Sequence, residues 1–300
     1  DREKIHLFVW IIVFSIGYYG IKGGIFTLIS GGGAHVLGPT GSFISGNTEI
    51  GLALVMILPL VWYLYLNTLQ LWIRFGLIAS MFLIPIAILG TQSRGALVAI
   101  AAIGLFLWIK SRKKLILFGV MVFFIPFLFM LMPQTWHDRM NSMKNHEEDA
   151  SAIGRIQAWT FAYDLAVERP LVGGGFEAFN PVNYEHYSPN LVGQGTGLYH
   201  DVHSIYFEVL GEHGFVGLGV FLTLGFIYWR TASKIMRLTK TSIQNKWAYD
   251  FAGMTQVSLV GYAVGGAFLG LAYFDLIYHL FAMLILVLRI VETQSDPQDT

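Results

Sequence analysis

Long apolar runs separated by short polar breaks dominate this chain. A bilayer core of about 30 Å needs roughly 17–25 mostly apolar helical residues to cross it. Runs over 5–21, 49–66, 75–90, 95–109, 115–132, 204–229, 251–271 and 272–291 predict about eight transmembrane helices, two of them short. Two longer interruptions stand out. The segment 22–48 carries Gly23-Gly24, Gly31-Gly32-Gly33 and Gly38-Pro39, has no acid, and reads as a glycine-rich loop. The segment 133–203 is polar and acidic. Within it Ile153, Ile156, Trp159, Phe161, Leu165 and Val167 recur mostly at helical spacing, so 152–168 predicts a helix. Arg169-Pro170 ends it, because a residue before proline avoids the helical region. Gly173-Gly174-Gly175 turns the chain, and 176–197 reads as ordered loop. The expected architecture is all-α, a polytopic integral membrane protein. Its parts are N-terminal membrane helices in 1–132, an external segment 133–203, and C-terminal membrane helices with a tail in 204–300.

Composition sharpens this reading. Only 13% of residues are charged and 55% are hydrophobic, with a mean hydropathy of +0.58. Soluble domains carry about 25% charge. The formal net charge is zero, which gives no basic field for nucleic acid. There is no cysteine, so disulfides and thiolate metal sites are excluded. The chain begins at Asp1 with no signal-peptide pattern, and reads as a segment of a longer protein.

Lysine and arginine in short loops set orientation. Lys110, Arg112, Lys113 and Lys114 form one basic cluster; Arg230, Lys234, Arg237, Lys240 and Lys246 form another. Both belong on the cytoplasmic side. Counting spans from either one puts 133–203 on the opposite side. Arg94 falls on that outer side too, while Arg74 and the tail 292–300 fall inside.

Three polar residues therefore face one side of the membrane: Arg94, Arg155 and His203. Arginine presents a planar fork of donors that matches phosphate oxygens in pairs. Arg94, in Gln92-Ser93-Arg94-Gly95-Ala96, fits anion capture, or snorkelling to headgroups. Arg155, beside Gly154 near a helix start, fits anion binding, or a surface pair with Glu147, Glu148 or Asp149. His203 fits a general base for a hydroxyl near neutral pH. With His200 it could instead ligate a metal, given a third ligand from Asp201, Glu208 or His213. Asp275 and His279 stand one turn apart in the last run and read as an ionisable pair within the membrane. Lys22 closes the first predicted span on the outer side, as anion ligand or helix anchor. Walker A, Asp-x-Asp and His-Glu-x-x-His patterns are absent, which disfavours ATP-driven pumping, a metal-dependent nucleotide-sugar enzyme and a zinc protease. A transporter should show inverted repeats and polar broken helices at mid-bilayer; the sequence shows neither, and its polar residues crowd one face.

Ser93-Arg94-Gly95, Gly154-Arg155-x-x-Ala158-Trp159, Pro170 to Phe176, and above all His203 to Gly217 resemble the O-antigen ligase (WaaL) and O-antigen polymerase (Wzy) superfamily. The family usually reads His-Asn where this chain has His203-Ser204. Lys22 to Phe26 and Gly38 to Phe43 look like the branch of O-glycosylation ligases. The resemblance implies a transferase of the Gram-negative inner membrane with its active site facing the periplasm. The donor would be a glycan on undecaprenyl diphosphate. The acceptor would be lipid A–core, a growing glycan or a protein hydroxyl, with O-antigen ligation in lipopolysaccharide biosynthesis the leading expectation. The implied reaction inverts the anomeric carbon and uses no metal or other cofactor. His203, Arg94 and Arg155 would be catalytic; Lys22, His200, Tyr206, Glu208 and Asp275 would bind substrate. Partners would be that donor, that acceptor and membrane lipids, with no nucleic acid.

Overall fold

A computed structural model describes residues 1–111, 113–115, 119, 122, 123, 130, 134, 147–192 and 201–295. Among these residues the chain is helical and contains no strand. In order come α1 (Arg2–Ser30), α2 (Asn47–Asn67), α3 (Leu71–Gly90), α4 (Arg94–Lys110), α5 (Glu147–Glu168), α6 (Pro181–Tyr187), α7 (Pro189–Val192), α8 (Ile205–Thr239), α9 (Lys246–Gly265) and α10 (Asp275–Ser295), with a short 3-10 turn at Gly266–Phe268. Five of the described helices, α1, α2, α3, α8 and α10, are long and apolar enough to cross a membrane. The predicted span over 115–132 lies almost wholly outside the described residues.

The chain divides into two compact units. The first comprises Asp1–His137, Ile227–Gly265 and Phe274–Thr300. Its core is α2, whose residues from Ile50 to Leu64 are almost all buried, packed by α1, α3, α4 and α9. Helix α9 buries polar residues here: Thr255, Gln256 and Ser258 are all buried. Pro59 removes one N–H from the α2 ladder, and in the preceding turn the Ser258 hydroxyl of α9 donates to the Met56 carbonyl (2.7 Å). At one end of this unit Lys110 donates to Gln256 (2.6 Å), Gln256 donates to Ser233 (2.8 Å), and Lys234 pairs with Glu292 (2.6 Å). Members of both basic clusters thus gather at the same end, as the charge count expects.

Helix α1 corrects the glycine-rich loop. It continues to Ser30, so Lys22 lies inside the helix, exposed, and does not close it. Gly23 and Gly24 are not turn residues here. They let α1 approach α3: a Cβ on Gly24 would run into the Leu83 carbonyl oxygen, and one on Gly20 would meet Ile84 at 2.8 Å. Small residues at such crossings are the usual way membrane helices pack closely. The helix stops at Gly31, which takes the left-handed conformation at φ 61°. The irregular segment is therefore 31–46. It is ordered by bonds from Val36 N to Gly90 O (3.0 Å) and from Gly38 N to Ser45 O (3.0 Å).

The C-terminal boundaries also shift. Helix α9 ends at Gly265, and Asp275 opens α10 in its first turn, exposed, where a carboxylate complements the helix dipole. His279 Nδ1 lies 2.8 Å from the Asp275 backbone carbonyl, not its carboxylate, and its ring sits against Phe8. The expected ionisable pair within the membrane is therefore not formed.

The tight α1–α3 crossing makes a comparison possible within one protein. Gly24→Ala should destabilise the detergent-purified chain by about 1–3 kcal/mol. Gly76→Ala, where nothing lies within 4 Å, should be neutral or stabilising. Equal thermal midpoints for the two variants would contradict the packing role.

Candidate functional site

The second unit comprises Asp138–Phe226 and Gly266–Tyr273. It holds Arg155, His203, Tyr206 and Glu208. His200 lies outside the described residues, while Lys22, Arg94 and Asp275 belong to the first unit.

Helix α8 is broken where the sequence suggested one continuous span. Gly214 takes φ 65°, ψ −168°, which no helix accommodates. Fifteen residues separate Tyr206 from Phe221, about 22 Å along a straight helix. Their rings are nevertheless 6.4 Å apart. The stretch from Ile205 to His213 thus folds back on the stretch that begins at Phe215.

A break exposes carbonyls and N–H groups that need partners. The Pro170–Gly175 segment supplies them. Gly174 N donates to Gly211 O (2.9 Å), Gly175 N to Glu212 O (2.8 Å), and Phe215 N to Pro170 O (2.9 Å). The approach is backbone to backbone. A Cβ on Gly173, at φ 58°, would lie 2.6 Å from the Glu212 carbonyl carbon, and one on Gly214 would lie 2.5 Å from Pro170 O.

Two carboxylates complete the clamp. Glu208 Oε2 accepts from Ala272 N (3.0 Å). Glu212, which is buried, accepts from Glu177 N (3.0 Å) and from the Tyr273 hydroxyl (2.5 Å). One face of the short helix therefore holds both the 173–177 loop and the 266–273 turn. The Gly270 backbone passes beside His203: a Cβ there would stand 3.6 Å from Glu208 Oε2 and 4.0 Å from His203 N.

His203 precedes α8, half-buried, with φ 41°. A non-glycine residue held in the left-handed region is uncommon, and such strain gathers at functional sites. Ser204 is buried, and its carbonyl accepts from Glu208 N (2.8 Å).

Helix α5 brings Arg155 to this segment. Its inner face, Ala158, Phe161, Ala162, Leu165 and Ala166, is fully buried. Phe161 stacks on Tyr184 (3.9 Å, 13°). Burial, and then the Asp201 carboxylate, push the Tyr184 phenol above its ordinary pKa, so it stays protonated. Trp159 stacks on Phe207 (4.9 Å, 7°) and donates its indole N–H to Val202 O (2.9 Å). Arg155 lies one turn before Trp159 on the same side of α5, with Nε buried. The side of α5 that carries Arg155 is thus fastened to the residue preceding His203.

Arg94 is the first residue of α4 and exposed. Ser93 caps the helix, its hydroxyl accepting from Ala96 N (3.2 Å). The preceding turn is strongly tied. Gln92, at φ 55°, donates to Gly32 O (3.0 Å), and Asn47 donates to Thr91 O (2.9 Å). Within the first unit, Gly265 packs on α4, its Cβ position 3.6 Å from Gly95 O.

Some of this was not read from the sequence. The 176–197 stretch is partly helical, since Asn180 caps α6 by accepting from Asn183 N (3.0 Å) with Pro181 at its first position. That asparagine–proline signal was available. Glu212 and Tyr273 carried no sequence signal of their partnership. Among the described residues, no group of three or more His, Cys, Asp or Glu is gathered to hold a metal.

Glu212→Ala strands the Glu177 N–H and the Tyr273 hydroxyl together. Its expected cost is about 2–3 kcal/mol, from hydrogen bonds to a charged group. Tyr273→Phe should cost less, and the double variant should be less destabilised than the sum of the singles. Additive losses in thermal unfolding would contradict the shared clamp.

No curated protein matches the chain. A family model described as O-antigen ligase matches residues 78–222, from within α3 into α8, and so includes Arg94, Arg155, His203, Tyr206 and Glu208 but not Lys22 or Asp275. The activity this family indicates is that of a glycosyltransferase-like ligase or polymerase, working on a lipid-linked glycan and an acceptor in a multi-pass membrane protein. Over residues 78–222, just under half of its length, the chain is similar to the O-antigen ligase family.

Proposed function

We propose that this protein transfers a glycan from undecaprenyl diphosphate to an acceptor hydroxyl at the periplasmic face of a Gram-negative inner membrane. The leading acceptor is lipid A–core, which makes the reaction O-antigen ligation. The observation that carries the reading is the Trp159 tether. It fastens the helix that bears Arg155 to the strained segment that bears His203.

In this reading Arg155 holds the diphosphate and offsets the charge that develops as it leaves. Arg94 is a second phosphate ligand; the charge count and the Ser93-Arg94-Gly95 motif support that part. His203 accepts the proton of the acceptor hydroxyl. The acceptor oxygen attacks the anomeric carbon from the face opposite the diphosphate. A new glycosidic bond forms, the bond to the diphosphate oxygen breaks, and undecaprenyl diphosphate departs. One backside displacement inverts the anomeric carbon. Two guanidiniums neutralise the leaving group, so the scheme needs no metal. Tyr206 and Glu208 are proposed to contact substrate, as are His200, Lys22 and Asp275. For Glu208 this leaves one carboxylate oxygen beyond the one that accepts from Ala272.

The test incubates purified protein with lipid-linked glycan and separate acceptors, and follows released undecaprenyl diphosphate. Release with lipid A–core supports ligation. Lengthened glycan marks a polymerase, and a glycosylated protein marks an O-glycosylation ligase. Movement of the donor between leaflets without release would mark a transporter and overturn the enzyme reading. Arg94→Ala and Arg155→Ala should each abolish release while the protein still inserts. Arg94→Lys should stay weak, because a point charge cannot fork. His203→Ala should lose about 10²–10⁴ in rate; wild-type kinetics for it would refute the base. Activity lost to EDTA and restored by zinc would favour a metal site instead.

A further inference from the structure

Helix α5 belongs to the segment expected outside the membrane, yet one side of it is apolar and uncovered. Ile153, Ile156, Thr160, Tyr163 and Val167 follow each other at spacings of three and four, which puts them on one stripe. Their exposure is high: 50% for Ile153, 59% for Ile156, 53% for Tyr163 and 54% for Val167. Asp164 borders the stripe, half-buried, with its carboxylate accepting from the Ser188 hydroxyl (2.7 Å). Apolar residues scattered singly on a surface need no explanation, but a continuous uncovered stripe does.

Three observations name what covers it. First, the stripe continues onto a surface that belongs in lipid. The Tyr163 ring meets Phe215, 6.3 Å between centroids at 84°. Phe215 opens the second stretch of α8, which runs 25 residues to Thr239, about 37 Å of helix and enough to cross a bilayer. Phe215, Val216 and Val220 are all exposed on it. Second, the chain beyond α5 extends the same surface. Leu171 and Val172 are exposed in the segment whose Pro170 carbonyl accepts from Phe215 N. Third, the stripe's one hydroxyl is satisfied inside the helix. Thr160 Oγ1 donates to Ile156 O (2.8 Å). Ser80 in α3 and Thr223 in α8, exposed on helices of membrane-crossing length, do the same toward Gly76 O and Gly219 O. Hydrocarbon offers no water to a hydroxyl, so this back-bonding is what a lipid-facing threonine requires.

We infer that α5 is a lipid-seated helix: the stripe from Ile153 to Val167 lies against the acyl chains of the leaflet that Phe215 enters, while its opposite face packs on the protein. The seating does not depend on the proposed reaction. Its consequence does: on that reading, Arg155 is carried at the depth where a polyprenyl diphosphate leaves the bilayer.

The chain has no cysteine, so single cysteines can be placed without disturbing native thiols. Ile156→Cys, Tyr163→Cys and Val167→Cys are labelled with an environment-sensitive fluorophore on the full chain in phosphatidylethanolamine–phosphatidylglycerol vesicles. Leu222→Cys serves as the membrane reference and Glu185→Cys as the water reference. The expected result is blue-shifted emission at all three positions, quenching by acyl-chain nitroxides, and loss of quenching by aqueous iodide, as at Leu222. Iodide quenching equal to that at Glu185 would overturn the inference. Shielding from both quenchers would overturn it too, in favour of a second copy or another protein on the stripe. Undecaprenyl diphosphate release is read separately, so failure of the enzyme reading leaves this result standing.

Discussion

The break in α8 at Gly214 is the constraint on which the second unit depends. A straight helix through 205–239 would carry His203 away from the loop that follows α5. The reversal at Gly214 turns the first stretch back, and the backbone of Pro170–Gly175 satisfies the groups the break exposes. That exchange requires glycine at two points of contact, Gly173 and Gly214, because side chains there would meet backbone atoms. Two sequence motifs that looked separate are thus one structural object.

What the break positions is chemical. The short helix presents Glu208 and Glu212 to neighbouring backbone and to Tyr273, which fixes the turn at 266–273 beside His203. The Trp159 indole does the same for α5 from the other direction. His203 is therefore held in a left-handed conformation by contacts on several sides. Strain of this kind, of order 1–3 kcal/mol, persists only where the surroundings over-determine it. The arrangement fits a group that must meet its partner at one angle.

The sequence made the helical membrane class legible because spans of 20 apolar residues have few alternative explanations. It also marked Arg94, Arg155 and His203, since charge is rare in such a chain and the motifs around them are recognisable. Other features were hidden for physical reasons. Gly23 and Gly24 looked like turn signals, yet in α1 they serve close helix approach, a role that only a neighbour can reveal. Gly214 sat in a run apolar on its far side and helix-like on its near side, so nothing local announced a reversal. Asp275 and His279 had the right spacing for a pair, but the histidine meets the main chain instead of the carboxylate. The uncovered side of α5 was legible only as a count of apolar residues; which of them the protein buries depended on Phe161, Leu165 and Tyr184 packing together.

In the proposed reaction arginine binds the lipid diphosphate while His203 moves a proton. Affinity separates these roles more directly than rate does. The measurement is equilibrium binding of an undecaprenyl-diphosphate-linked glycan to the protein in nanodiscs, without acceptor, in a His203→Ala background that slows any turnover. His203→Ala alone should keep wild-type affinity. Adding Arg155→Ala should lose about 1.5–3 kcal/mol, the worth of hydrogen bonds to a charged group, which is roughly ten- to a hundredfold in Kd. Unchanged affinity on removing Arg155, or affinity lost with His203 alone, would contradict it.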